Sequence, residues 1–229
     1  MKLNLNSKKA RAILHVLFPT KCPVCGTIIN YMERFCSECT DKISPYKGNF
    51  NVDGANKFFA SFEYDDNISP AIILMKEGTC GNADYALGNE LADTIINSMP
   101  EFTADLIVPV PMHKEDVRER SYNQAELLCR VISERLRIPC NTNLVTKNRV
   151  TDKQKTLTKA ERAVNLLGAF SVSDKSAVQN KTILIIDDVC TTGATLAEIV
   201  KLLKNNGADK VYCACCCKTP EINKTKGSV

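Results

Sequence analysis

The 229-residue chain is 44% hydrophobic and 24% charged, with a formal net charge of +4 and twelve cysteines. That length is enough for one domain plus an appendage, and so small a charge argues neither for nor against nucleic acid as a partner. No apolar run reaches the length of a membrane span, and the run ILHVLF behind Lys2, Lys8, Lys9 and Arg11 ends after six residues at Pro19, too short for a secretory signal. A cytoplasmic protein without membrane insertion is expected, one in which so many cysteines mean metal ligands and reduced thiols rather than disulfides.

Taken in order, residues 1–18 read as a short basic amphipathic helix with Ile13, Leu14, Leu17 and Phe18 on its apolar side, expected to pack on the adjoining cysteine-rich module. Next come Cys22 and Cys25, ten intervening residues, then Cys36 and Cys39. Two C-x₂-C knuckles so spaced offer four thiolates to one tetrahedral ion. Zinc accepts four sulfurs without redox cost, and with all positions filled the site is structural. A segment this short cannot build a core without such a staple. Whether the module also binds nucleic acid or a protein is left open.

Residues 42–56 are polar and contain Pro45, Gly48 and Gly54, which reads as a linker. KFFASFEYD predicts a strand, 68–75 a helix ending near Gly78, and 85–96 a helix with Leu87, Leu91 and Ile95 on one side. Leu106–Val110 predicts a buried strand. The loop behind it is stiffened by proline, then basic, and leads into a helix whose Leu128, Ile132 and Leu136 face inward. Arg118 and Arg120 offer planar, multiply donating groups to phosphate oxygens and Lys114 a point charge. His113 has no visible partner and is given no catalytic role.

A strand at 144–147 is followed by a long cationic stretch with Lys153, Lys155, Lys159 and Arg162, unusual as a mere connection and expected to act as a lid. Thr182–Ile186 then reads as a strand buried on both faces, and Leu196, Ile199, Val200 and Leu203 mark a helix. The intervening loop holds adjacent acids, Asp187 and Asp188, then Thr191, Thr192, Gly193, Ala194 and Thr195, small or hydroxylated residues at a helix N-terminus, where phosphate binds. Carboxylates beside a phosphate cradle suit a ligand carrying hydroxyls or a cation next to its phosphate, as a phosphorylated ribose does. Cys190 lies in this loop, where amide dipoles would lower its pKa, a modification liability beside its usual packing role. VYCACCC reads as a buried strand rather than a second metal site, because alternation sends neighbouring thiols to opposite faces. Residues 221–229 are polar and expected to be disordered.

DDVCTTGAT resembles the phosphoribosyl pyrophosphate (PRPP) signature of type I phosphoribosyltransferases. In that family the acidic pair holds the ribose hydroxyls and TTGAT the 5′-phosphate. The spacing of Lys147, Arg149, Thr151, Gln154, Leu157, Arg162, Asn165, Ala169 and Phe170 is similar to glutamine PRPP amidotransferases and, more closely, to the ComF family. VPVPMHKEDVRERSYNQAELL and the four-cysteine module extend the ComF likeness from Cys22 to about Cys217.

The resemblance implies an α/β type I phosphoribosyltransferase fold, a parallel sheet flanked by helices, with a small zinc-ribbon-like module. Its divisions would be 1–45 for the helix and four-cysteine zinc module, 46–100 for a variable hood or linker, 101–220 for the core and 221–229 for the tail. It implies ribose binding by Asp187 and Asp188, 5′-phosphate binding by Thr191–Thr195, and pyrophosphate binding by Lys114, Arg118, Arg120 and Lys147. Arg149 and Arg162 would support the transition state, with no dedicated general base. Zn²⁺ would be structural and Mg²⁺ would accompany PRPP. The implied activity is transfer of ribose 5-phosphate to a nitrogen nucleophile in a protein tied to DNA uptake during natural transformation. The alternative is a catalytically silent PRPP or nucleotide sensor that binds single-stranded DNA or a DNA-uptake protein. A transcriptional regulator ranks last, since no helix-turn-helix is visible. The family pattern usually has glycine where Ser121 stands, and a glycine there on account of positive φ would make serine a departure that shifts the pyrophosphate loop.

Overall fold

A computed structural model of the chain describes residues 8–77, 82–149 and 168–220, except for the side chains of Lys114, Glu119 and Arg120. The expected lid, Arg162 and the tail 221–229 lie outside the described residues. The centre is a four-stranded parallel sheet in the order β1 (Lys57–Glu63), β6 (Lys210–Lys218), β5 (Thr182–Cys190), β2 (Leu106–Pro109). β5 occupies an interior position because its apolar run is covered on both sides. Leu184 and Ile186 join the core beneath α4 (Ala83–Ser98) and α6 (Gln124–Leu136), while Ile183 and Ile185 join the core beneath α7 (Ala194–Asn205). All four are fully buried, and at about 25 cal/mol per Å² their apolar area helps hold the sheet to the helices on both of its faces. α4 and α6 approach closely at Gly88, where an added Cβ would stand 2.8 Å from Val131.

Four expectations need correction. First, β5 does not stop at Ile186. Backbone pairing ignores side-chain polarity, so the ladder continues with Asp187 opposite Cys215 and Cys190 opposite Lys218, and both acids sit on a strand end rather than in a free loop. Second, the segment at 144–147 is not a strand of the central sheet. β3 (Val145–Lys147) pairs antiparallel with β4 (Phe170–Val172) in a separate two-stranded sheet that spans the lid segment's two ends. Third, the sheet crosses the expected boundary at residue 101, because β1 from the 46–100 segment is hydrogen-bonded along β6 and α4 packs on α6. Fourth, α1 (Lys8–Leu17) docks through its polar side. Arg11 donates to the Tyr31 carbonyl at 2.7 Å and to Asn82 Oδ1 at 2.6 Å, and stacks on the Tyr85 ring. Ile13, Val16, Leu17 and Phe18 are left exposed.

The four-cysteine module is fused to this body. Phe35 meets Phe62 of β1 edge-on, and Arg34 spans to Glu90 at 2.9 Å and Asp93 at 2.6 Å on α4. Arg135 of α6 reaches the same Asp93 at 2.8 Å. Burial works against ionisation of Asp93, but the bonds from the two arginines outweigh it and hold its pKa below the ordinary carboxylate value.

Candidate functional site

The carboxyl ends of β5 and β2 and the N-termini of α6 and α7 face one another, the usual location of a ligand site in a parallel α/β sheet. β5 ends at Cys190, and Thr191–Gly193 turn the chain into α7. Gly193 takes φ 77° as the N-cap and supplies no side-chain acceptor of its own, and the Ala194 amide at the start of α7 donates to Thr192 Oγ1 at 3.4 Å. The ring of Phe50 closes over this turn, 2.8 Å from where a Cβ on Gly193 would stand. Lys218, only 2% exposed, donates from Nζ to the Thr191 carbonyl at 2.8 Å and the Thr219 carbonyl at 2.7 Å, beneath the Phe50 ring. A buried cation thus braces the turn from β6. Composition and spacing gave no sign that Phe50 or Lys218 belonged here.

A small pocket formed by Val189–Leu196 shares Asp187 and Thr195 with a larger cavity of about 220 Å³. Val110–Met112, Asp116, Gln124, Ala125, Lys147, Phe170 and Asp188 complete the larger one. Asp187, Asp188, Lys147 and Thr195 are therefore brought together, and Thr191–Ala194 adjoin them. Burial, reinforced by the charge of neighbouring Asp188, pushes the Asp187 carboxyl well above the ordinary carboxylate range. Asp188 is paired with Lys76 of α3 (Ser69–Glu77) at 3.0 Å, a partner the sequence did not indicate.

The basic loop after β2 is in fact a helix, α5 (Lys114–Arg120). Lys114 and Arg120 lie on it, and their side chains are outside the described residues. Arg118 is exposed and does not line the cavity, nor does Arg149, which follows β3. His113 caps α5, its Nδ1 accepting from the Glu115 amide at 3.3 Å, in keeping with a structural role. Ser121 itself takes φ 68°, so the chain follows the course a glycine would allow, at a cost in backbone strain, and the loop need not shift. The next residues are fixed in turn. The Tyr122 hydroxyl donates to the Met75 carbonyl at 2.6 Å, and Asn123 caps α6 through Oδ1 while Nδ2 donates to the Val110 carbonyl at 3.0 Å.

Cys190 is buried behind the phosphate-type turn. A hydrogen bond from the Cys215 thiol lowers its pKa, burial opposes this, and Lys218 and the Gly193 amide assist. Loop packing, not exposure to reagents, is the role its burial supports. Cys213 and Cys215 enter one core and Cys216 the other, as a buried strand requires, but Cys217 joins the same core as Cys216, so the expected alternation stops at the end of the run.

In the N-terminal module the Sγ atoms of Cys22, Cys25, Cys36 and Cys39 lie within 4.8 Å of one another, with Cys25 and Cys36 3.6 Å apart. Zinc–sulfur bonds of about 2.3 Å put tetrahedral sulfurs roughly 3.8 Å apart, so the donor set fits one zinc ion. Among the described residues this is the one cluster of its kind.

Comparison with known proteins agrees with both halves. A phosphoribosyl transferase domain family matches residues 116–227, and a double zinc ribbon domain family matches residues 13–50. DNA utilization protein YhgH of Escherichia coli strain K12 is 31% identical over 203 residues, 87% of this chain and 85% of that protein. The chain belongs to the ComF family. Competence protein F of Haemophilus influenzae is 29% identical over 198 residues, covering 83% of this chain and 81% of its own length. Competence protein ComFC of Bacillus subtilis is 36% identical over 102 residues, 44% of this chain and 39% of that one. This ComF protein thus joins a type I phosphoribosyltransferase domain to a four-cysteine zinc ribbon. No helix among its described residues is long and apolar enough to cross a membrane.

Proposed function

We propose that this ComF protein binds PRPP with its Mg²⁺ and transfers ribose 5-phosphate to a nitrogen nucleophile in the cytoplasm. The observation that carries this reading is that the turn Thr191–Thr195 and the 220 Å³ cavity meet at Asp187 and Thr195, so one ligand with a phosphate and vicinal hydroxyls fits both. Thr191, Thr192, Gly193, Ala194 and Thr195 take the 5′-phosphate on the first-turn amides of α7, and Asp187 and Asp188 take the ribose hydroxyls. Lys147 faces the pyrophosphate, with Lys114, Arg118 and Arg120 supplied by α5, and Arg149 and Arg162 offset charge as it develops. Mg²⁺ enters as part of the substrate and neutralises the pyrophosphate. The C1–oxygen bond breaks with its electron pair going to pyrophosphate. The nitrogen lone pair forms the new bond at C1, and its proton leaves to solvent. Positioning and electrostatic stabilisation supply the rate enhancement. The test is titration calorimetry with Mg-PRPP, followed by pyrophosphate release against a panel of amines and nitrogen bases. Absence of PRPP binding overturns the proposal.

A second reading, a silent PRPP sensor that binds single-stranded DNA or a DNA-uptake partner, draws on the names DNA utilization protein and competence protein carried by the relatives. It predicts PRPP binding without pyrophosphate release, and DNA affinity that falls steeply with salt and drops when Lys8 and Lys9 are changed to Gln.

A further inference from the structure

Each residue of the run Ser121–Gln124 except the last has a structural task. Ser121 makes the left-handed turn, Tyr122 ties α6 to α3, and Asn123 spends both ends of its amide on the cap and on β2. Gln124 is different. It opens α6, is 2% exposed, and lines the 220 Å³ cavity, yet its Nε2 is buried without any hydrogen-bond partner, the single such side-chain atom among the described residues. A buried amide nitrogen without a partner destabilises the folded chain, and natural proteins leave very few. Gln124 lines the cavity, so a ligand entering there can supply the partner that its Nε2 lacks once the amide turns toward it.

The surroundings indicate which part of the ligand. Gln124 stands at the N-terminal end of a 13-residue helix, where the backbone dipole favours negative charge, and Lys147 lines the same cavity. Asp187, which also lines it, offers only oxygen acceptors when ionised and repels anions. A hydroxyl facing Asp187 has its acceptor already, whereas a phosphoryl oxygen needs donors. We propose that Gln124 is a binding residue that donates from Nε2 to a pyrophosphate oxygen of the bound substrate, and that it discriminates PRPP from ribose 5-phosphate. This inference rests on the PRPP reading above. Gln124 supplies a neutral donor beside Lys147 in the same cavity.

The experiment compares wild type with Gln124→Met, which keeps the volume and removes the donor, and Gln124→Glu, which replaces the donor by an acceptor. Calorimetry measures Mg-PRPP, Mg-pyrophosphate and ribose 5-phosphate, and thermal melting measures the ligand-free protein. The expected result for Gln124→Met is a tenfold or greater loss of PRPP and pyrophosphate affinity, ribose 5-phosphate affinity within twofold of wild type, and a melting temperature equal to or above wild type. Gln124→Glu loses more pyrophosphate affinity than Gln124→Met. Unchanged affinity for all three ligands overturns the inference and leaves the PRPP reading standing. An equal loss for all three, or a lowered melting temperature in Gln124→Met, makes Gln124 a packing residue and also overturns it. Wild-type protein that binds none of the three overturns the PRPP reading, and the inference falls with it.

Discussion

Changing Gly193 to alanine tests the turn at the heart of the site in two separable ways. Its φ of 77° lies in the left-handed region, which costs an L-residue about 1–2 kcal/mol. The new methyl would also stand 2.8 Å from Phe50 Cζ and 3.2 Å from Cε1, where about 3.5–4.0 Å is ordinary contact. The Phe50 ring cannot retreat freely, because it packs edge-on against Phe58 at 5.1 Å and covers the Lys218 ammonium at 4.5 Å. Overpacking of this kind costs about 1–3 kcal/mol, so Gly193→Ala is expected to lose about 2–5 kcal/mol of stability. In a Phe50→Ala background the steric part vanishes and only the backbone part of about 1–2 kcal/mol remains. The difference is a coupling of about 1–3 kcal/mol between two residues 143 positions apart, read from urea denaturation of the wild type, both single variants and the double. Ribose 5-phosphate affinity, measured in parallel, falls in Gly193→Ala and recovers partly in the double variant. Additive losses, within about 0.5 kcal/mol, would refute the close approach of Phe50 to the turn and with it the idea that the 42–56 segment shapes the phosphate cradle.

Other parts of the molecule carry their own consequences. Asp187, with its folded pKa raised above the unfolded value, favours the folded state at low pH, and that contribution is lost as pH climbs through the elevated value. Asp187→Asn should therefore gain stability relative to wild type as pH rises, while weakening ribose 5-phosphate binding about tenfold; a pH-independent difference in melting curves refutes the assignment. The four-cysteine cluster should hold one zinc per chain, with Cys25→Ser or chelation lowering the melting temperature by several degrees; full metal content in Cys25→Ser by atomic absorption contradicts the ligand set. Ser121→Gly should relieve the left-handed serine and raise stability by about 0.5–1 kcal/mol in urea without altering pyrophosphate affinity; a loss of stability means the turn at Ser121 is unstrained.

How much of this was legible in the sequence depends on the range over which each cause acts. The zinc ligands stand out because two knuckles are local and their spacing alone sets the geometry. The β5 strand and the α7 helix stand out because burial on both faces and helical spacing are imprinted residue by residue. The end of β5 was misplaced because side-chain polarity at Asp187 and Asp188 signalled a loop, while the backbone there pairs with β6 regardless of side chain. Likewise 145–147 has the residues of a strand, but nothing in them distinguishes an added hairpin with 170–172 from a place in the central sheet. The exposed face of α1 shows the converse, since an apolar stripe specifies a need for a partner and not which partner meets it, and here Arg11 made the docking contact from the other side.

The site divides along the same line. The acids and the turn proposed to hold the ribose and its phosphate could be read together because they lie in one contiguous stretch, from Asp187 to Thr195, whose chemistry is readable in isolation. The residues that hold this stretch in shape are Lys218, 27 positions after Thr191, and Phe50 in the polar segment before β1, and neither looks functional where it stands. Their convergence explains why the 42–56 segment, read as a linker, lies against the turn before α7. It also explains why a lysine ends a strand of buried cysteines. A lysine at 218 would be an error in a strand that served only to fill the core, because an unpaired buried cation is costly. Bonded to the carbonyls of Thr191 and Thr219, its Nζ has partners there and braces from below the turn proposed to take the phosphate. Lys218→Met should then leave the sheet folded and still cost phosphate affinity. A neutral side chain of similar length fills the space but supplies neither the donor to Thr191 nor the field, and unchanged ribose 5-phosphate affinity in that variant would reduce Lys218 to packing.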